Sequence, residues 1–153
     1  MRELPENPEV LAPLLRHLEA AYPEEGCGVI LRGPTGHRVV PLENAYERYK
    51  AVDPAAFPRT ARTAYYIHPR DWMRVTEEAE EAGEQVVCIV HSHADVGAYF
   101  SEEDHAMAAP GGTPLFPGVA YLVVAVDQGR ATAARLYRWE DDSFRERKVE
   151  LTF

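Results

Sequence analysis

From His91 to Asp104 the chain reads His91-Ser92-His93-Ala94-Asp95-Val96-Gly97-Ala98-Tyr99-Phe100-Ser101-Glu102-Glu103-Asp104: H-x-H, seven residues, then S-x-x-D. Two imidazoles alternate, and a carboxylate follows a short loop. Zinc takes His nitrogen and Asp oxygen in tetrahedral sites, and catalytic zinc keeps three protein ligands with the fourth position for water. The spacing therefore predicts a hydrolytic metal centre of His91, His93 and Asp104 rather than a structural one. Each part alone has a plainer reading. H-x-H is common on surface strands, Ser101 is a natural helix cap, and Asp104 in a first helical turn favours the helix dipole. Together, behind an apolar strand, they point to metal.

The flanking elements suit that geometry. Val86-Val87-Cys88-Ile89-Val90 is a continuous apolar run that reads as a buried strand ending at the histidines. Residues i and i+2 of extended chain point the same way, so both imidazoles can reach one ion. Ser101, followed three residues later by an acid, marks the N-terminus of a helix over Glu102–Ala109, although Asp is a weaker box partner than Glu or Gln. Asp104 then falls in the first turn, facing back toward the strand end.

Helices and strands alternate along the rest of the chain. Asn7-Pro8 opens a helix with Val10, Leu11, Leu14, Leu15 and Leu18 as its apolar stripe, and Pro23 stops it. Cys27–Arg32 and His37–Leu42 form two strands around the turn Gly33-Pro34-Thr35-Gly36. Asn44–Pro58 has no clear period and reads as an irregular loop, either a substrate lid or an ordinary connection. Ala64–Ile67 reads as a short strand, and Pro69–Ala82 as an amphipathic helix closed by Gly83. Pro110–Gly118 is a loop, Val119–Val126 a buried strand, Ala131–Trp139 a strand after the turn Asp127-Gln128-Gly129, and Ser143–Leu151 a last strand. No repeat or low-complexity segment interrupts the pattern. The expected fold is one α/β domain over residues 1–153, a mixed sheet flanked by helices.

Composition narrows the function. The formal net charge of −9 disfavours nucleic acid, which needs basic patches to neutralise phosphates. The acidic run Glu77–Glu84 reads as a solvated helix face. No stretch reaches transmembrane length, and Met1–Pro8 has no apolar signal region, so the expected compartment is the cytoplasm. Cys27 and Cys88 lie in apolar strands and read as reduced, buried thiols without a paired base.

The two motifs together resemble the JAMM (MPN+) metalloprotease family, whose H-x-H and S-x-x-D are joined by an upstream P-x-E-x-x-G. Here that segment is Pro23-Glu24-Glu25-Gly26-Cys27-Gly28, and the likeness runs from about Tyr22 to about Tyr137. It is strongest to small bacterial members acting on ubiquitin-like sulfur-carrier proteins. The resemblance implies a curved sheet between helices with a cytidine-deaminase-like core. It implies one zinc ion held by His91, His93 and Asp104, with Glu25 as general base and then general acid, and Ser101 as oxyanion donor. It implies a substrate with an extended Gly-Gly tail, and it leaves a homodimer open. Two positions depart from the family pattern: Ala94 and Phe100 stand where prolines are usual, which bears on loop stiffness. His68 reads as a capping or surface residue, His105 as turned away from the site, and His17 and His37 as surface residues. Tyr99 and Phe100 are expected either to contact a substrate tail or to pack the loop. The other functional readings are a non-catalytic MPN-type binding module and a zinc hydrolase of small-molecule amides. The first is disfavoured by the complete ligand set. The second is disfavoured by the absence of the C-x-x-C pattern of zinc deaminases.

Overall fold

Helix α1 (Pro8–Ala21) begins where Asn7 Oδ1 accepts the Glu9 N–H, with Pro8 at a position that needs no amide donor. Its stripe of Leu11, Leu14, Leu15 and Leu18 is buried, and Leu14 and Leu18 are fully enclosed. Each such leucine contributes about 1.5–3 kcal/mol. The computed structural model describes residues 3–151; the two outermost positions at each end of the expected 1–153 domain lie outside them.

The strands are β1 (Cys27–Gly33), β2 (Gly36–Leu42), β3 (Gln85–Ala94), β4 (Ala120–Asp127), β5 (Arg130–Glu140) and β6 (Ser143–Val149). They form one sheet in the order β2-β1-β3-β4-β5-β6. Among the described residues only β3 and β4 pair in parallel; the other neighbours are antiparallel. Helix α1 covers one face, where Ile30, Cys88, Val90, Leu122, Val124 and Leu136 meet its leucines. Helix α3 (Pro69–Glu81) lies over the other face, on Val29, Leu31, Ile89, Tyr121 and Val123. The period of two along β3 thus sends Cys88 and Val90 to one side and Ile89, His91 and His93 to the other. This is the mixed α/β fold expected from the alternating pattern.

Gly28 shows how tightly α1 is seated. A Cβ there would lie 2.5 Å from Leu14 Cδ1 and 2.7 Å from Val40 O. The last glycine of the P-x-E-x-x-G segment is therefore a packing requirement. Among the described residues, no helix is long and apolar enough to cross a membrane.

Two expectations need correction. The stretch expected as irregular, Asn44–Pro58, contains helix α2 (Tyr46–Val52). It carries its own aromatic cluster, with Tyr46 and Tyr49 each 5.4 Å from Phe57 and Tyr49 4.7 Å from Tyr66. Ala64–Ile67 is extended but joins no strand of the sheet. Asn44 Oδ1 accepts the Tyr66 N–H, and the Tyr66 carbonyl accepts from Ala45 N, so a polar side chain takes the place of a ladder. The Tyr-Tyr-Ile composition reflects a half-buried extended segment rather than sheet membership.

Candidate active site

β3 carries His91 and His93 at its C-terminal end, fully inside the protein. Helix α4 (Glu102–Ala108) brings Asp104 to the same point. His91 Nε2 and His93 Nε2 lie 3.3 Å apart. Asp104 Oδ1 is 3.2 Å from His91 Nε2, and its Oδ2 is 3.1 Å from His93 Nε2. The carboxylate is aimed by a reciprocal capping box. The Asp104 N–H donates to Ser101 Oγ, and the Ser101 N–H donates to Asp104 Oδ2, both at 3.0 Å. Asp serves here as a full box partner.

The imidazoles have defined roles. His93 Nδ1 is 3.1 Å from the Gly97 carbonyl. A carbonyl can only accept, so Nδ1 carries a proton, and in the neutral ring Nε2 then presents its lone pair. His91 lies against the ring of Tyr65, centroids 4.4 Å apart and nearly parallel. Its Nδ1 is buried without a hydrogen-bond partner.

Glu25 joins this cluster through the β1–β3 register. Cys27 pairs with His91, and two further residues along brings Glu25 beside His93. One of its carboxylate oxygens and a nitrogen of each histidine all lie within 4.8 Å of one another, close enough for the three to share an ion. The segment is tied down on every side. Gly26 N donates to Ser92 Oγ at 2.8 Å, Ser92 N donates to Gly26 O at 3.0 Å, and Glu25 N donates to Ala61 O at 2.7 Å. Asn44 uses all of its amide capacity here. Its Nδ2 donates to Glu25 O and Ala64 O, while its Oδ1 accepts from Tyr46 N and Tyr66 N. Glu25 Oε1 itself is buried with no partner.

These environments separate the two acids. Burial pushes the Glu25 carboxyl up to about 9, and the charge of Asp104 pushes the same way. In the metal-free protein burial would also raise Asp104, but the charge and hydrogen bond of His91 and the hydrogen bonds of His93 and the Ser101 N–H outweigh it and hold Asp104 well below the usual carboxylate range. Burial pushes the Cys27 thiol up to about 12, which agrees with an inert core cysteine. Both cysteines are free and buried.

The loop between the motifs is held by contacts from outside it, although it lacks the two prolines. Asp95, at φ 62°, accepts from Tyr22 OH at 2.6 Å and from Gln128 N at 2.8 Å. Tyr137 OH donates to Ala98 O at 2.7 Å. Phe100 packs between Tyr137 and Phe144, at 4.7 and 5.1 Å. Phe100 therefore packs the loop, whereas Tyr99 sits edge-on to His93 and stays half exposed at the cleft rim. His105 packs against Phe100 and Phe144, away from the cluster. His68 caps α3, accepting the Arg70 N–H at Nδ1. His17 Nε2 reaches the Leu42 carbonyl from a half-buried position, so it is less of a surface residue than expected.

Glu25, His93, Tyr99 and Ser101 line a cleft of about 220 Å³ together with Arg59 and Arg62. The sequence reading missed Asn44, Asp95 and both arginines. Their partners lie far along the chain, where no local pattern reaches.

The chain matches prokaryotic homologs of the JAB domain over residues 7–140. It is 32% identical to a desampylase of Haloferax volcanii over 127 residues, 83% of this chain and 78% of that one. It is 28% identical to the CysO-cysteine peptidase of Mycobacterium bovis over 147 residues, 94% of this chain and 87% of that one. A solution structure from Desulfitobacterium hafniense superposes with a TM-score of 0.67 at 20% identity, covering 94% of this chain and 89% of that one. A protein of Salinibacter ruber gives 0.59 at 27% identity, covering 95% and 88%. With its P-x-E-x-x-G segment and its H-x-H and S-x-x-D motifs gathered at one sheet end, this chain belongs to the prokaryotic JAB family, the JAMM/MPN type of peptidase.

Proposed function

We propose that this chain is a zinc-dependent peptidase that hydrolyses the amide bond after the Gly-Gly tail of a ubiquitin-like or sulfur-carrier protein. The observation that carries the reading is the convergence of three lone-pair donors, His91 Nε2, His93 Nε2 and Asp104, at 3.1–3.3 Å. With the imidazoles neutral and Nε2 unprotonated, such groups repel one another unless a cation lies between them. Metal–ligand lengths of 2.0–2.1 Å in a tetrahedron imply ligand–ligand edges of about 3.3–3.4 Å, close to the spacings found here. His91, His93 and Asp104 would hold the ion, and Glu25, within 4.8 Å of the histidine nitrogens and with its Oε1 unpaired, would be left for proton transfer. When bound, zinc supplies Lewis-acid polarisation and activation of water near neutral pH.

The protein groups then divide the work. The Glu25 carboxyl, pushed up by burial in the metal-free protein, would be favoured as carboxylate by the charge of a bound ion, and in that form it accepts a proton from the attacking water and delivers it to the departing amine; its buried Oε1 has no other partner. Ser101 Oγ already accepts the Asp104 N–H, which leaves its own O–H free to donate to the tetrahedral oxyanion. Glycines suit the narrow approach, and an extended tail can pair with exposed backbone beside the cleft. The desampylase and CysO-cysteine peptidase relatives support this substrate class.

Elemental analysis of the purified protein beside His93→Ala is the first test, followed by cleavage assays on Gly-Gly carrier fusions. About one zinc per chain, lost in the variant, with turnover on the fusions is the expected result. Absence of zinc after reconstitution would return the chain to the binding-module reading. Turnover only on small amides would favour the small-molecule hydrolase.

A further inference from the structure

The cleft beside Glu25 carries positive charge, of which the machinery described above uses only the pull of Arg59 on the Glu25 carboxyl. Arg59 and Arg62 both line it, next to Glu25, Thr63 and Ser101. Arg59 is placed by its backbone: its N–H donates to Tyr46 OH at 2.9 Å, and its carbonyl accepts from Lys50 Nζ at 2.5 Å. One end of its guanidinium, Nη1, donates to Glu103 at 2.6 Å. The Arg59 Nε is buried and has no acceptor. The side chain as a whole is 39% exposed, so a carboxylate meeting the guanidinium from the cleft would supply the acceptor that Nε lacks, through two parallel hydrogen bonds. Arg62 is only loosely held, 3.5 Å from an Asp95 carboxylate that already accepts from Tyr22 and Gln128.

The chemistry of the departing group says which carboxylate this is. Glu25 hands its proton to the leaving nitrogen, so that nitrogen lies in the cleft that the arginines line. In an amino acid the α-carboxylate carbon is only about 2.5 Å from the α-nitrogen, across two bonds. Each further residue moves the terminal carboxylate about 3.3–3.6 Å away, and the nitrogen of a lysine isopeptide has no carboxylate beside it. A cleft of about 220 Å³ is smaller than the ~300–1,000 Å³ of ordinary small-molecule sites and suits one residue rather than a folded partner.

We propose that Arg59, assisted by Arg62, binds the α-carboxylate of a leaving group one amino acid long, so that the enzyme selects carrier adducts ending one residue past the Gly-Gly. The proposal rests on the peptidase reading above and deepens it. Water adds across the amide, the carrier regains its glycine carboxylate, and the amino acid departs as a free amine with its carboxylate still on Arg59.

The test has two arms. In the kinetic arm, the zinc-loaded enzyme is given three carrier adducts: Gly-Gly-Ala as the free acid, its C-terminal carboxamide, and Gly-Gly-Ala-Ala. The free acid is expected to exceed both others at least tenfold in kcat/KM. The acid-to-amide ratio is expected to fall to about one in Arg59→Gln and to an intermediate value in Arg59→Lys, which keeps charge without the fork. In the binding arm, the zinc-loaded Glu25→Gln protein is titrated calorimetrically with the peptides Gly-Gly-Ala and Gly-Gly-Ala-amide, and the acid is expected to bind at least tenfold more tightly. Equal affinities, or a preference that survives Arg59→Gln, overturn the proposal. If the acid is preferred in binding but no adduct is cleaved, the peptidase reading fails while the carboxylate site stands.

Discussion

At the scale of single residues, His93 can face an ion in one tautomer only, because the Gly97 carbonyl claims its Nδ1 proton. Asp104 is held just as firmly by the Ser101 box. The ligand set is thus oriented before any ion arrives, the condition under which partners of the ligands affect affinity. Asp104→Ala should lose zinc and all turnover, and it should also weaken the start of α4; full occupancy with normal turnover would contradict the ligand assignment. Ser101→Ala should lower kcat by about 10²–10³ through loss of the oxyanion donor, and lower stability by about 1 kcal/mol through loss of the cap. Thermal melts beside the kinetics would separate the two effects. Glu25→Gln should keep zinc and abolish hydrolysis, which metal analysis and single-turnover assays would check. The same variant makes a pH prediction for the metal-free protein. Folding raises the Glu25 carboxyl from 4.5 to about 9. Its stabilising influence is therefore complete below about pH 4.5 and is lost as pH rises toward about 9, since the unfolded chain ionises first. At pH 7 the loss is at most roughly 3 kcal/mol. Metal-free Glu25→Gln should lack this decline in urea titrations run from pH 5 to 8, and an identical slope in both proteins would reject the buried-acid reading.

At the scale of elements, the site depends on how three segments are tied together. Asn44 bonds the chain before β1, the start of α2 and the extended 64–66 segment at once. Asn44→Ala should cost about 2–3 kcal/mol, since several buried backbone groups lose partners together. It should also depress kcat by displacing Glu25, with zinc retained. The strand, the second imidazole and the helix cap were legible in the sequence because each follows a short-range rule. Alternation along β3 aimed both histidines one way, and a serine three residues before an acid marked α4. Glu25 was legible only through its family motif, since its place beside His93 depends on strand pairing such as that of Gly26 with Ser92, 66 residues apart. Helix α2 was hidden because it is seven residues long and its aromatic stripe is completed by Phe57 beyond its end. The bracing of the metal loop was also hidden. The absent prolines suggested slack, but Asp95 and Phe100 supply the restraint through Tyr22, Gln128 and Tyr137.

At the scale of the molecule, the cluster sits at the C-terminal end of β3, beside the parallel β3–β4 pair. Strand ends of this kind are where α/β folds place ligands. The layer order followed from hydrophobic pattern alone, whereas the strand order did not, because periodicity is silent about which strands are neighbours. An ion that binds only the folded chain stabilises it by mass action, about 4 kcal/mol at a thousandfold excess over Kd. For a chain of this size that corresponds to roughly 8–16 °C in Tm. Calorimetry with zinc and then with chelator should show the shift, and His93→Ala should show none; equal Tm values for the wild type would remove the ion from the folding equilibrium. The capping box adds a consequence in time. The amides of Ser101 and Asp104 are bonded to the serine and carboxylate that shape the ion's surroundings, so the first turn of α4 cannot fray while the carboxylate is engaged elsewhere. Deuterium uptake at those two amides would then serve as a clock for the residence of the ion, readable with no substrate present.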